Sequence, residues 1–497
     1  LNTYSKKAAA LVVTTLLGTA VLSFPALHVQ AAQASAPASS VTAQEIQEAV
    51  GVLSRLGVLE GYKNQSMGIH HQINRAELAK MVAKTFHLEN QSPSRVSFTD
   101  VAPNAWYYKY ASELIGLGIM QAENSQFNPH ATVTNTELMQ IVSKALKRDV
   151  KTVNYWMQRF TSKQTPTRGE VAYLLNTAQK AIPSEKANVI DIKALNTITL
   201  IVTFDAPLTS ANEAFAKAKE DFVFTEGLSL TNMPRLKTGS IATYIVPTSP
   251  QKAGTQYSLM YKGKRTGTFV GNATKLSMTQ PSQVTNDTFE IASLKSEGVV
   301  DYGYIISAYS AGRGDNAFVL DNNNQADGKT YQVISSMQGR QVTITPEGGQ
   351  PIVAKYVPFT QSTDGKQEPK FRLPDGQTLT PGVTYTVSSD WAQMANPTFV
   401  AKNIASLELT AADAISETSI SVTLAADPGD ELFSGRSVQL TAENGEKLIA
   451  AYKYSSRKGA VGIFDIQQNG TLTKGTSYTV TPAGDWAGDS AVQLTVK

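Results

Sequence analysis

The period of the apolar positions divides the chain in two. Up to about residue 182 apolar residues recur with helical spacing. Leu53, Leu56 and Leu59 form a stripe with Val50, Val52 and Val58, and Leu138, Ile141, Val142 and Leu146 follow an i, i+3, i+4, i+8 pattern. Beyond about residue 183 the period falls to two. Ile198, Leu200, Val202 and Phe204 alternate with Thr197, Thr199, Ile201 and Thr203, and Ile420, Val422 and Leu424 alternate with Ser421 and Thr423. Turn signals such as Asp327-Gly328, Pro374-Asp375-Gly376 and Asn469-Gly470 separate such runs. The pattern predicts a multidomain chain, all-α first and then all-β, with β-sandwiches as the natural home for many short strands.

A different pattern precedes both. Lys6 and Lys7 lead into an uncharged apolar run, Ala8 to Leu22, which Pro25 ends; Val29-Gln30-Ala31 and Ala32-Gln33-Ala34 then offer small-residue cleavage sites. This is the layout of a secretory signal peptide, expected over 1–34. A membrane anchor is the alternative, but the run falls short of the roughly 20 residues that span a bilayer. The expectation is an exported chain with no membrane span after signal cleavage. Ser35–Ser40 reads as a linker.

Each part repeats itself. In the β part, Leu379-Thr380-Pro381-Gly382-Val383-Thr384-Tyr385-Thr386-Val387 precedes Asp390-Trp391-Ala392, and Leu472-Thr473-Lys474-Gly475-Thr476-Ser477-Tyr478-Thr479-Val480 precedes Asp485-Trp486-Ala487. Lys252-Ala253-Gly254-Thr255-Gln256-Tyr257 is a weaker copy. Three β-sandwiches follow, over 183–273, 274–402 and 403–497, each with a Tyr anchored near a corner. For these Tyr and Trp residues core packing is favoured over ligand contact.

In the helical part, Asn74-Arg75-Ala76-Glu77, Thr134-Asn135-Thr136-Glu137 and Thr167-Arg168-Gly169-Glu170 each place a capping residue three positions before a Glu. Asn74/Glu77, Thr134/Glu137 and Thr167/Glu170 are thus expected capping boxes. Behind each Glu the apolar offsets are identical: Leu78, Met81, Val82; Leu138, Ile141, Val142; Val171, Leu174, Leu175. Three equivalent helices can bury these stripes against one another in a bundle. Arg75 and Arg168 stand in first helical turns, where a cation opposes the helix dipole by roughly 0.3–1 kcal/mol. Two readings follow: a site for a ligand carboxylate or phosphate, built from guanidinium and free backbone N–H groups, or a solvated Arg that tolerates its place.

Charge and composition narrow the chemistry. With 44 Lys/Arg against 41 Asp/Glu the net charge is +3, which excludes a strongly cationic nucleic-acid binder. The chain has no Cys, so disulfides, Cys-ligated metals and thiol nucleophiles are excluded. No metal site and no cofactor are expected. Asp321 to Gly328 has a calcium-loop flavour but lacks Gly at the sixth position and has Gln332 in place of a Glu at the twelfth; a loose structural calcium site stays open beside a plain hairpin. Arg313-Gly314-Asp315 reads as a Gly-rich turn rather than an adhesion tripeptide.

Phe98-Thr99-Asp100-Val101, Trp106-Tyr107, Ala111, Leu117-Gly118-Ile119, Phe127-Asn128-Pro129 and Val133-Thr134-Asn135-Thr136-Glu137 follow, in order and spacing, a repeat of the S-layer homology (SLH) family. A first repeat (about 41–90) resembles it through Leu56-Gly57-Val58, Gly61-Tyr62 and Ile73-Asn74-Arg75-Ala76-Glu77. A third (150–182) keeps Thr167-Arg168-Gly169-Glu170 but has lost most of its opening and long loop. The second repeat spans 95–148. The resemblance implies a pseudo-trimer around a three-helix bundle that binds secondary cell wall polysaccharide, commonly pyruvylated, in grooves between repeats. It implies that Arg75 and Arg168 contact the acidic sugar substituent, that Asp100, Trp106 and Tyr107 supply the Asp and aromatic contacts, and that Gly118 leaves room for sugar. Asn135, in the third Arg place, supplies no charge. The expected partners are this polysaccharide and other copies of the chain in a surface lattice; the expected location is the cell wall or S-layer of a Gram-positive cell. A non-enzymatic surface protein is the leading reading. The alternative is an SLH-anchored glycan hydrolase, which needs two carboxyls roughly 5–10 Å apart in a cleft.

Overall fold

Six helices in the described residues before position 182 carry the apolar stripes: α1 (Ala43–Arg55), α2 (Arg75–Thr85), α3 (Tyr108–Gly116), α4 (Asn135–Leu146), α5 (Val150–Met157) and α6 (Arg168–Lys180). The computed structural model describes residues 39–63, 65–92, 96–292, 298–303, 319–326, 328–358, 368–429 and 432–497. The expected signal peptide, most of the linker and Arg313-Gly314-Asp315 lie outside these.

The helices close a ring. α1 packs on α6, α3 on α2 and α5 on α4, so the first helix of each repeat lies on the second helix of the repeat before it. Within the ring α6 touches both α2 and α4. The nine apolar positions behind the three Glu residues are 0–3% exposed. Burying a side chain of this size is worth roughly 1.5–3 kcal/mol, which holds together helices too short to be stable alone. Leu56 departs from the expected stripe: α1 ends at Arg55, and Leu56 is the half-exposed C-cap residue.

The rest of the chain is mostly β. The first sheets face each other over one core. Val189–Asn196, Thr199–Phe204, Thr243–Pro247 and Arg235–Leu236 make one sheet in that order; Phe222–Phe224, Gln256–Tyr261 and Lys264–Val270 make the other. Further on, the strands join into two larger sheets, each of seven. One runs in the order Thr398–Val400, Thr384–Ser388, Gln341–Pro346, Ile352–Tyr356, Lys370–Arg372, Thr288–Ile291, Pro281–Gln283. The other runs Leu409–Ser416, Ser419–Leu424, Val461–Ile466, Lys447–Tyr452, Ser437–Ala442, Ser477–Pro482, Val492–Thr495. In both, the two end strands come together, so a single sheet curls round its own core in a barrel-like way. This departs from the two-sheet sandwich expected for these segments: a period of two identifies the inward face but not the strand next door.

The repeated tyrosines anchor corners. The N–H groups of Lys252, Thr380 and Thr473 donate to the hydroxyls of Tyr257, Tyr385 and Tyr478 at 3.0, 2.9 and 3.1 Å, each five residues on. Trp391 and Trp486 are buried, and their indole N–H groups donate to the carbonyls of Gln341 and Ser437, where strands begin.

Successive β regions are tied by a repeated arginine. Arg340 donates from Nη1 to the carbonyl of Thr248 in the preceding sheets, 3.0 Å. Arg436 places both terminal nitrogens on Asp287 of the preceding sheet, 2.6 and 2.8 Å. Arg372 answers from the other side, donating to the carbonyl of Ser434 at 2.7 Å. Thr199 and Ile201, outward positions by alternation, are buried under this packing; Ile201 joins Ile245, Val300, Tyr302, Leu320 and Val333. The helices dock as well, through the Trp156 indole N–H on the carbonyl of Gly239, 2.8 Å, and Arg148 on that of Ser240, 2.7 Å.

The Asp321 loop holds a cation of the protein's own. Lys237 Nζ donates to the carbonyl of Asp321 at 2.6 Å and to Asn324 Oδ1 at 2.9 Å. One Asp321 carboxylate oxygen accepts the N–H groups of Asn323 and Gln325, both at 2.8 Å. Asp327 lies outside the described residues.

Candidate functional site

Each of α2, α4 and α6, the second helix of its repeat, is set by the next loop in the ring. Its first N–H donates to a carbonyl four residues ahead of the second helix of the next repeat. Arg75 N–H reaches Ala131, Asn135 N–H reaches Gln164, and Arg168 N–H reaches His71, at 3.0, 2.7 and 2.8 Å. The second N–H does the same at two joints, Ala76 to Pro129 and Gly169 to Ile69, at 3.0 and 2.9 Å. The free N–H groups that one of the two readings of the arginines needs are therefore taken: these donors are used by neighbouring loops. Gly169 permits one approach, since a Cβ there would lie 2.9 Å from the Ile69 carbonyl oxygen and from Ile46 Cγ2.

The arginines follow the same geometry. Arg168 reaches back to the first repeat. Its Nη1 donates to Glu77 Oε1 at 2.8 Å and to the Tyr62 hydroxyl at 3.3 Å, its Nη2 to the Glu60 carbonyl at 2.6 Å, and its guanidinium lies 4.8 Å from the Tyr62 ring centre. Arg75 repeats this one joint on. It donates to the Phe127 carbonyl from Nε at 2.8 Å, to the Gln121 carbonyl from Nη2 at 2.6 Å, and to Glu137 from Nη1. Neither is a solvated side chain: Arg168 is 6% exposed, and the Arg75 side chain 13%. At the third joint Asn135 donates to the Ser162 carbonyl at 2.9 Å. Glu170 there accepts the N–H groups of Thr161 and Ser162, 2.8 and 3.0 Å, and of its cap Thr167, 2.9 Å. Burial pushes its carboxyl up, but these hydrogen bonds outweigh burial and hold it below the usual range.

The capping boxes close at Asn74/Glu77 and Thr167/Glu170. At α4 only half forms. Thr134 Oγ1 accepts the Glu137 N–H, but the Glu137 carboxylate turns to Arg75 instead of back to its cap.

Among the described residues, an open groove lies over each of the two arginine joints. The first, about 190 Å³, lies over the Arg168–Glu77 joint and is walled by Gly61, Tyr62, Lys80 and Trp106. Trp106, from the second repeat, is 55% exposed, and Lys80 Nζ lies 5.8 Å from its ring centre. Lys80 also pairs with Glu60 at 2.8 Å. Burial and the hydrogen bond to Glu77 push the Tyr62 phenol above its ordinary pKa. The second groove, about 280 Å³, lies over the Arg75–Glu137 joint, with Gln121, Gln126, Gln140 and Lys144 in its walls. It is amide-rich where the first is aromatic.

The remaining expected residues stand around these grooves. Asp100 accepts the N–H groups of Phe127 and Asn128 at 2.9 and 2.7 Å and so fixes the loop whose carbonyl holds Arg75. Tyr107 packs edge-on against Trp106 and His130, at 5.1 and 6.4 Å between ring centres. Gly118 is exposed with φ +70°, beside open space, and its carbonyl accepts from Lys144 at 3.1 Å. Sequence reasoning passed over Tyr62, Lys80 and Lys144 as wall residues. The signal was present for the lysines, three and seven places past the helix-start Glu and so on its face.

Residues 38–79 and 97–134 match the family model of the S-layer homology domain. The "Middle cell wall protein" of Brevibacillus brevis is 26% identical over 231 residues, covering 42% of this chain and 22% of its own. The "Surface-layer 125 kDa protein" of Lysinibacillus sphaericus is 28% identical over 124 residues, covering 23% and 10%. The chain thus spans less than a quarter of the length of these curated relatives. Among solved structures, surface layer protein SbsC, domains 1–6, aligns with 91% of this chain and 73% of its own at 11% identity, with a TM-score of 0.15, too low to carry a shared fold. Residues 38–79 and 97–134, within the helical ring, thus match S-layer homology domains, and part of the chain is similar to a cell wall protein and a surface-layer protein.

Proposed function

We propose that the helical ring anchors the chain non-covalently by binding secondary cell wall polysaccharide in its two open grooves, and that the β regions 183–273, 274–402 and 403–497 serve as the structural, adhesive or lattice body. The observation that carries this is the first groove: an exposed indole face, an ammonium beside it, and a floor of buried Arg168 with partly buried Glu77 and Tyr62. An aromatic face stacks on a sugar ring, and the cation and the floor supply hydrogen bonds and charge to its substituents. The names of the two relatives, a cell wall protein and a surface-layer protein, agree with this role. In this reading Arg75 and Arg168 hold the groove floor together as well as facing the ligand.

The hydrolase alternative needs two carboxyls facing each other across a cleft. Glu213, which burial raises above the usual carboxylate range, faces Tyr244, Arg235 and Arg148 rather than a second carboxyl. The test is sedimentation of the chain with native walls and with polysaccharide-extracted walls. Trp106→Ala, which alters an exposed side chain, should leave the fold intact and cut pelleting with native walls. Equal pelleting of wild type and variant, or equal pelleting with extracted walls, would sink the proposal.

A further inference from the structure

The third joint of the ring differs from the other two in what lies over it. The residue after the C-cap of α1 is Gly57 and of α3 is Gly118; after the C-cap of α5, Gln158, it is Arg159. Arg159 grips the segment that leads into α1. Its Nη1 and Nη2 donate to the two Glu45 oxygens, both at 2.9 Å, and its Nε donates to the Ser39 carbonyl at 2.8 Å. The Val41 N–H returns the contact, donating to the Arg159 carbonyl at 3.0 Å. Glu45 is itself the capping-box acid of α1, accepting the Thr42 N–H at 2.9 Å. The bidentate bond from Arg159, foremost, and the Thr42 N–H hold its carboxyl down at about 2.

The helix face beneath is altered to match. Lys80 and Gln140, three residues past Glu77 and Glu137, are groove walls. The equivalent residue on α6 is Tyr173. Its hydroxyl accepts from Arg159 Nη1 at 2.8 Å, and its ring centre lies 5.5 Å from the guanidinium. The floor has no arginine, and the Glu170 carboxylate is 3% exposed and held by its own repeat. Each element that opens a groove elsewhere here binds the chain itself.

We infer that the third inter-repeat position is an intramolecular latch, in which Arg159 and Tyr173 hold the Ser39–Thr42 segment and close the ring from the last repeat onto the first. The module then offers two polysaccharide sites per chain, not three. The count rests on the anchoring role proposed above; the latch does not.

Two measurements on the full chain separate them. Hydrogen exchange read on a peptide covering 39–46 should quicken about tenfold or more in Arg159→Gly, which restores the glycine of the other repeats, while α2 and α4 keep their protection. Arg159→Lys, which keeps the charge but not the fork, should quicken it less. Unchanged exchange at 39–46 in a folded Arg159→Gly chain would overturn the latch; if that variant does not fold, unchanged exchange in Arg159→Lys does so. Calorimetric titration of wild type with a disaccharide carrying one pyruvylated hexosamine should give two sites per chain, and one in Trp106→Ala. Any other number in a chain that binds overturns the count. No binding at all overturns the anchoring role, and exchange still decides the latch.

Discussion

Arg168→Ala offers the sharpest test of how the grooves are built. The substitution removes three donated hydrogen bonds and a cation from a site that is 6% exposed. It leaves Glu77, with a 13% exposed side chain, without its counter-charge. Breaking a buried ion pair from one side costs roughly 3–5 kcal/mol. Here Glu77 keeps the N–H of its cap Asn74 and the Tyr62 hydroxyl, at 3.2 and 2.8 Å, so the lower end, about 3 kcal/mol, applies. For a unit the size of the helical region that is a fall of roughly 6–12 °C in melting temperature. The assay is thermal and urea unfolding of the full chain followed by circular dichroism at a helical wavelength. Asn135→Ala is the control: it removes one neutral hydrogen bond, about 1 kcal/mol. An Arg168→Ala chain within about 0.5 kcal/mol of wild type would show that the joint is not held by its arginine. The helix-dipole argument alone predicts the opposite sign, since a cation leaves the positive end of a helix.

Further outcomes are expected elsewhere. At the junction of the two seven-stranded sheets, burial pushes the Asp287 carboxyl up, but the bonds and charges of Arg436 and Arg372 outweigh it and hold it at about 2, against an ordinary 3.8. A depressed acid stabilises fully above its unfolded value and less as pH falls toward the folded one. About 2 kcal/mol should therefore be lost between pH 4 and pH 2, seen in acid unfolding and absent in Asp287→Asn. Tyr385→Phe and Tyr478→Phe should each lower stability by roughly 1–3 kcal/mol, because each leaves an N–H without its acceptor; urea titrations check this, and no change would deny the corner its role. EDTA should leave the melting temperature unchanged, because Lys237 occupies the Asp321 loop; a fall of many degrees would reveal a bound divalent ion.

What was legible in the sequence was what local period and capping chemistry encode. The nine stripe positions are core, and Asn74, Thr134 and Thr167 cap their helices. The three corner tyrosines were legible too, because a repeated turn followed by a strand leaves a repeated string. The fate of the arginines was not. The partner of Arg168 lies 91 residues away and that of Arg75 lies 62 away, and no local rule connects them. Glu137 shows the cost of local reading: the same spacing that closes two capping boxes leaves the third half formed, because a stronger partner arrives from another repeat. The β part hid its closure for a related reason. Alternation marks Thr199 and Ile201 as outward, and they are, but outward there means against the next sheet.

The repeated arginine between β regions bears on how the chain carries load. Tension between the helical ring and the last strand has to cross three seams. It passes Trp156 on Gly239, then Arg340 on Thr248, then the paired grip of Arg436 on Asp287 with Arg372 on Ser434. At the last seam the bonds run in opposite directions, one arginine from each side, so sliding either sheet loads both together rather than one after the other. Bonds loaded in parallel share a force that bonds in series each bear whole. Parting the last two sheets by sliding therefore requires both arginine grips to break together.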